Sequence, residues 1–275
     1  MASVICVIVN RFPPPFEGIL MEYSFLYSLS VALALGLIIG SFLNVCIHRL
    51  PIDESLVAPS SRCPSCRHPV RLWDNIPVVS FLVLRGRCRD CAQPISWRYP
   101  LVEIANGIGY VLLVWRFGPG LPTAVYGLLY SSLLVITLID LDHQIIPDRI
   151  SMPGMVIGVA ASSVILPTGF LNALIGLLLG GGLFYGVAVA SRGGMGGGDI
   201  KLIAMIGAFL GWKQALLTIF IGALAGSVIG LFLMAFKGKS RKHPVPFGPF
   251  LSLGAVVSLF AGPAIWKWYQ HLGAF

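Results

Sequence analysis

Two sets of residues in this chain are spaced for chemistry: aspartates set against long apolar runs, and two pairs of cysteines. Asp140 lies in Leu138-Ile139-Asp140-Leu141-Asp142-His143-Gln144-Ile145-Ile146-Pro147-Asp148, at the end of one apolar segment. Asp199 follows Gly196-Gly197-Gly198 and opens another. A carboxylate held at membrane depth is costly and is a functional hypothesis by default. Two carboxylates carried by different helices into a partly wet pocket can share one proton. One then activates water while the other protonates the leaving group. That is the chemistry of aspartic peptide hydrolysis, with Asp140 and Asp199 as the catalytic pair. For Asp142 and Asp148, solvated interfacial charge is an equally good reading. Other hydrolytic patterns are absent: there is no GxSxG, no HExxH and no Ser-Lys pair near one membrane end. The glycine run has no following GK[ST], which speaks against a phosphate loop.

The cysteines form Cys63-Pro-Ser-Cys66 and Cys88-Arg-Asp-Cys91. Two CxxC pairs at this separation match a four-thiolate zinc site, and the metal would be structural because four protein ligands leave no open position. A polar segment of this size lacks the apolar content to fold without such a staple. Two disulfides are the alternative, disfavoured in a reducing cytoplasm. Cys6 and Cys46 fall in apolar stretches and read as small buried hydrophobes.

The elements that position these groups follow from composition. Of 275 residues, 56% are hydrophobic and 11% charged, far below the roughly 25% charged of soluble domains. The chain therefore reads as an all-α polytopic membrane protein of about eight transmembrane helices, with a small cytoplasmic four-cysteine zinc module. The expected spans are 25–47, 100–116, 121–139, 150–166, 169–190, 200–212, 214–236 and 248–267. Residues 200–212 make only about 20 Å of helix, so the glycine run before them is expected to dip below the headgroups. Residues 1–20 are an N-terminal extension with no assigned function, because Met1–Asn10 lacks the basic start of a signal peptide and Met21 precedes the first full apolar run. Residues 21–47 hold the first span, 48–99 the zinc-binding loop domain, and 100–275 the peptidase domain.

Lys and Arg gather on the cytoplasmic side of membrane proteins. Placing loop 48–99 inside leaves only Arg11, Arg116, Lys213 and Lys267 outside, of 19 basic residues in all. Asp140 and Asp199 then share the cytoplasmic face with that loop. The net charge of +8 is thereby explained by topology, and no aromatic interleaving points to nucleic acid.

At these residues the chain resembles the type IV prepilin peptidases, bacterial relatives of the GxGD membrane aspartic proteases. The likeness rests on Gly40-Ser41-Phe42-Leu43-Asn44-Val45 with Arg49-Leu50-Pro51, both CxxC pairs, Arg98-Tyr99-Pro100-Leu101-Val102-Glu103, the Asp140–Asp148 stretch, Gly196–Leu202 and Pro246-Phe247-Gly248-Pro249. It implies a bacterial inner-membrane enzyme that removes the basic leader of prepilins and pseudopilins. It also implies N-methylation of the new amino terminus with S-adenosylmethionine, in a region associated with the cytoplasmic loop. The family pattern maps its catalytic pair onto Asp140 and Asp199.

Gly196, Gly198, Lys201, Pro246 and Gly248 are expected to line the active site, with lipid around the helices. Pro246, Gly248 and Pro249 should keep the approach to the last helix non-helical, either lining the cavity or forming a structural kink. Asp199, beginning a helix, is expected to be the ionised partner, and Asp140, ending one, the protonated partner. Lys201 would either reinforce that bias or snorkel to the headgroups. The competing readings are a cation or proton transporter, which would need polar residues along several helices, and a methyltransferase whose aspartates have lost their role.

Overall fold

The computed structural model describes residues 15–58, 60–192, 194–237 and 246–272. Among these, helix is the only extended regular element, and the sole β features are two isolated bridges, Arg62 to Pro69 and Arg87 to Pro94. The helices are α1 Pro15–Arg49, a short α2 Val79–Val83, α3 Arg98–Phe117, α4 Leu121–His143, α5 Asp148–Val164, α6 Phe170–Ala190, α7 Gly197–Leu210, α8 Trp212–Lys237 and α9 Gly248–Leu272.

Five of these are long and apolar enough to cross a membrane: α1, α4, α6, α8 and α9. The eight expected spans therefore divide into two groups. Helix α3 carries Arg98, Glu103 and Arg116, and α5 is only 17 residues long. Helix α7 has 14 residues, about 21 Å of rise. Its whole run Leu202–Leu210 is buried, so α7 meets protein on every side. That is how a segment shorter than the hydrocarbon core is accommodated. Many large apolar side chains elsewhere are exposed, among them Ile38, Leu178, Phe220 and Leu231, as a lipid-facing surface requires.

Helix boundaries differ from expectation in ways that matter for the site. Helix α1 begins at Pro15, ahead of the expected 25. Helix α4 runs to His143, past the expected 139, so Asp140 lies inside the last turn. Gly197 and Gly198 form the first turn of α7, with Gly196 as its N-cap. Only the part of the glycine run before them is loop. At the far end Gly211, with φ +81, turns the chain directly into α8.

One core packs α4, α5, α6, α7 and α9 through Leu129, Ile136, Ala161, Phe184, Ile203, Phe209 and Leu251. Helices α6 and α7 touch backbone to backbone at Gly176 and Gly207, where a Cβ on either would collide with the other chain segment. A second core joins α1, α3 and α4 through Leu43, Ile47, Val102, Val135 and Ile139. Cys46 is buried there, as its apolar context predicts, whereas Cys6 lies outside the described residues. Here too the helices meet closely, since a Cβ on Gly40 would stand 2.7 Å from the Glu103 Cα. Two buried polar side chains, Asn106 and Ser131, are paired across helices: Asn106 Nδ2 donates to the Gly36 carbonyl at 2.7 Å and Ser131 Oγ to Asn106 Oδ1 at 2.9 Å. Unpaired, each would be costly in an apolar surround.

Candidate active site and metal centre

Asp140 and Asp199 approach from different helices, the last turn of α4 and the first turn of α7. They lie close enough for the Asp140 charge to act on Asp199. Asp140 is buried, with 5% of its surface exposed, and Asp199 is partly buried. A third helix completes the arrangement. Phe247 caps α9, its carbonyl accepting from the N–H groups of Phe250 and Leu251. The Gly248 N–H, which has no partner within the helix, donates to Asp140 Oδ2 at 2.9 Å.

This contact corrects two expectations. Gly248 and Pro249 belong to α9 rather than to a non-helical approach; proline is tolerated in a first turn because its missing N–H would have no intrahelical partner. Among the described residues of that approach, Pro246 and Phe247 precede the helix. The argument for a protonated Asp140 is also weakened. The Asp140 carbonyl is satisfied by the Gln144 N–H at 3.0 Å, and its carboxylate faces the positive end of α9. The positive end of α9 thus offsets the negative end of α4 at Asp140, which narrows the dipole difference between the two carboxylates.

The glycines around the pair have unequal surroundings. A Cβ on Gly248 would meet Asp140 Oδ2 at 2.7 Å, one on Gly198 would meet Ile146 Cβ at 2.8 Å, and one on Gly196 would meet Asp199 Oδ2 at 3.3 Å. Gly197 has nothing within 4 Å. Lys201 is turned away from the pair: its Nζ donates to both oxygens of Asp148 at 2.7 Å, tying α7 to α5. Asp142 pairs with Arg98, which also donates to the Leu138 carbonyl at 3.3 Å. Asp142 and Asp148 are therefore ion-paired at a partly exposed rim. Sequence reading passed over Arg98 and Ile146 as parts of this site, and expected Gly248 there without its N–H on Asp140. Only the prolines flanking Gly248 signalled a helix start there.

Cys63, Cys66, Cys88 and Cys91 come together, with all four Sγ atoms within 4.8 Å of one another. The two halves repeat the same local structure. Cys63 N–H donates to the His68 carbonyl and Arg67 N–H to the Cys63 carbonyl; Cys88 with Gln93, and Ala92 with Cys88, do likewise. Arg67 and Ala92, each four residues past the first cysteine of its pair, both have φ near +58. The Cys63 and Cys91 sulfurs are 3.8 Å apart, nearly twice a disulfide bond. That spacing matches the edge of a tetrahedron with Zn–S bonds of ~2.3 Å, about 3.8 Å. Backbone N–H groups of Cys66 and Ser65 pull the Cys63 thiol down to about 6, so the first thiolate is available at neutral pH. The donor set fits a metal ion.

Residues 34–117 match the family model for the bacterial peptidase A24 N-terminal domain, and residues 127–231 that for the type IV leader peptidase family. A prepilin leader peptidase/N-methyltransferase of Stutzerimonas stutzeri is 39% identical over 85% of this chain and 91% of its own length. The chain belongs to the type IV leader peptidase family. Enzymes of the same printed name from Aeromonas hydrophila and from Burkholderia pseudomallei strain 1026b are 36% and 38% identical. They cover 87% and 85% of this chain, and 93% and 85% of their own lengths. No solved structure matches it. Membership in a bacterial leader peptidase family, with five apolar helices, makes this an integral membrane enzyme of the bacterial inner membrane.

The family's two matched regions meet at Arg98, which joins the end of the cysteine module to the last turn of α4 through Asp142. Within the module, Arg89 grips Asp74 with both Nε and Nη2 at 2.6 to 3.1 Å. This pairing holds the Asp74 carboxyl below the usual carboxylate range. It also ties the turn at Leu72–Asn75 to the second cysteine pair.

Proposed function

We propose that this protein is a membrane aspartic endopeptidase that removes the basic leader of type IV prepilins and pseudopilins at the cytoplasmic face. It then N-methylates the exposed terminus with S-adenosylmethionine. The observation that carries the peptidase reading is the meeting of Asp140 and Asp199 from α4 and α7, with the Gly248 N–H on one carboxylate. In a shared-proton pair, the ionised carboxylate takes a proton from water as the oxygen attacks the scissile carbonyl carbon. The protonated partner first hydrogen-bonds the carbonyl oxygen and, as the C–N bond breaks, supplies a proton to the leaving nitrogen. The Gly248 N–H fixes the Asp140 rotamer through each exchange.

Eight helices cross or enter the bilayer in this reading, the 48–99 domain is cytoplasmic and the 100–275 domain carries the peptidase. The excess of Lys and Arg in loops on that side supports the orientation. A prepilin held by its own apolar helix would then present its leader beside the aspartates. Gly196 and Gly198 line the pocket, while Lys201 and Pro246 set the helices that carry it. Zinc bound by Cys63, Cys66, Cys88 and Cys91 would brace the loop domain.

Methyl transfer rests on the relatives' printed names. The terminal nitrogen's lone pair takes the methyl carbon, the S–CH3 bonding pair returns to sulfur to leave a thioether, and the nitrogen sheds a proton to water. Incubating the purified protein with a prepilin and S-adenosylmethionine tests both activities, because product mass reports leader loss and the added methyl group separately. An uncleaved prepilin would defeat the peptidase reading. A cleaved but unmethylated product would defeat the second activity alone.

A further inference from the structure

A cavity of about 450 Å³ lies between the cysteine module and helices α1 and α3, apart from the Asp140–Asp199 pair. Its volume is that of a small-molecule site. Val45, Phe81 and Ile95 supply apolar wall, and Phe81 is braced edge-on by Trp97. Two buried charges line the cavity: Arg49, 9% exposed, donates to the Ser55 carbonyl at 2.8 Å, and the buried acid is Glu103, 8% exposed. Its Oε2 accepts the Val78 N–H at 2.7 Å, and the Ser41 hydroxyl also reaches it. Among the described residues no ion pair includes Glu103. The other acids of the cavity, Asp74 and Asp90, are held by Arg89 and Arg71.

A buried carboxylate without a counter-cation is costly. The chain adds a second cost to keep it in place. Val78, a β-branched residue, has φ +61 and ψ −48, a region such residues rarely adopt, and its N–H is the one on Glu103. The close packing at Gly40 fixes the Glu103 backbone from the other side. Strain and close packing that hold an unpaired anion at a cavity wall fit a cationic ligand.

We propose that this cavity takes the methyl donor, with its apolar wall against the adenine ring and Glu103 paired with the cationic part of S-adenosylmethionine. This rests on the methyl-transfer reading above. It assigns donor binding to a surface built jointly by α1, α3 and the loop, and gives the cysteine module the task of closing it.

The test is isothermal titration of S-adenosylmethionine into purified full-length protein, compared among wild type, E103Q and V45F. Leader cleavage by the same preparations reports that each is folded. E103Q removes the charge with little change of shape, and its donor affinity should fall roughly tenfold or more while cleavage continues. V45F narrows the cavity and should weaken donor binding by at least as much; it decides the matter if E103Q fails to fold. Wild-type affinity in the folded variants overturns this location, as does a change confined to the KM for a cleaved pilin peptide. A wild type that binds no donor and methylates nothing overturns methyl transfer itself, and this site with it.

Discussion

Replacing Gly248 by Ala adds one methyl group where the structure leaves no room for it. The new Cβ would stand 2.7 Å from Asp140 Oδ2 and 3.2 Å from Cγ. To restore an ordinary contact of about 3.4 Å, the carboxylate must retreat by about 0.7 Å. That displacement lengthens the 2.9 Å bond from the Gly248 N–H beyond useful range. A hydrogen bond to a charged group is worth about 1.5–3 kcal/mol, or roughly a 10- to 150-fold change in rate if it acts fully in the transition state. Misplacement by a large fraction of an ångström has an effect of similar size. The expected outcome is a fall in kcat/KM for leader cleavage of roughly 10- to 100-fold. Alanine is the better helix former by ~1 kcal/mol, so a weakened α9 does not explain such a loss. Initial rates on a purified prepilin, with a thermal unfolding curve for each variant, provide the measurement. Gly197→Ala is the control, because nothing lies within 4 Å of its Cβ position, and it should cleave within about threefold of wild type. A folded Gly248→Ala that cleaves as fast as Gly197→Ala would refute the reasoning.

Asp140→Asn and Asp199→Asn should each abolish cleavage in folded protein, because neither carboxylate of a shared-proton pair works alone; substantial turnover by either sinks the dyad. Asp142→Asn should retain much of the activity, since that carboxylate is paired with Arg98 at a partly exposed rim, and an inactive Asp142→Asn beside an active Asp140→Asn would reverse the assignment. Gly198→Ala, whose Cβ would meet Ile146 at 2.8 Å, should destabilise by about 1–3 kcal/mol, read as a lower unfolding midpoint. Lys201→Met breaks a half-exposed ion pair with Asp148 and should slow cleavage by less than about tenfold; complete loss would mean that Lys201 acts on the substrate. Metal analysis should find one zinc per chain, and Cys66→Ser should open residues 48–99 to protease before the membrane helices, an order that a purely helical brace of the loop would not produce.

The membrane character, the approximate helix positions and the four-cysteine cluster were legible in the sequence, because each depends on local pattern. Apolar length defines a span, glycine and proline mark its ends, and the CxxC spacing sets four sulfurs on two turns whatever surrounds them. Asp140 and Asp199 stood out for the same reason, as charges against apolar runs. What the sequence could not decide were contacts between segments far apart along the chain. Nothing near Asp140 announces that its carboxylate accepts the N–H of a residue 108 positions later. The helix-end argument about its proton is weakened because a neighbouring helix presents the opposite dipole. Lys201 sits two residues from Asp199, yet its partner is Asp148 on another helix. Glu103 stands in an apolar stretch of α3, and only folding buries it at a cavity shared by α1, α3 and the loop. Local sequence sets which groups are present and at what depth; the electrostatic surroundings that decide what each does come from segments that only tertiary packing brings within a few ångströms.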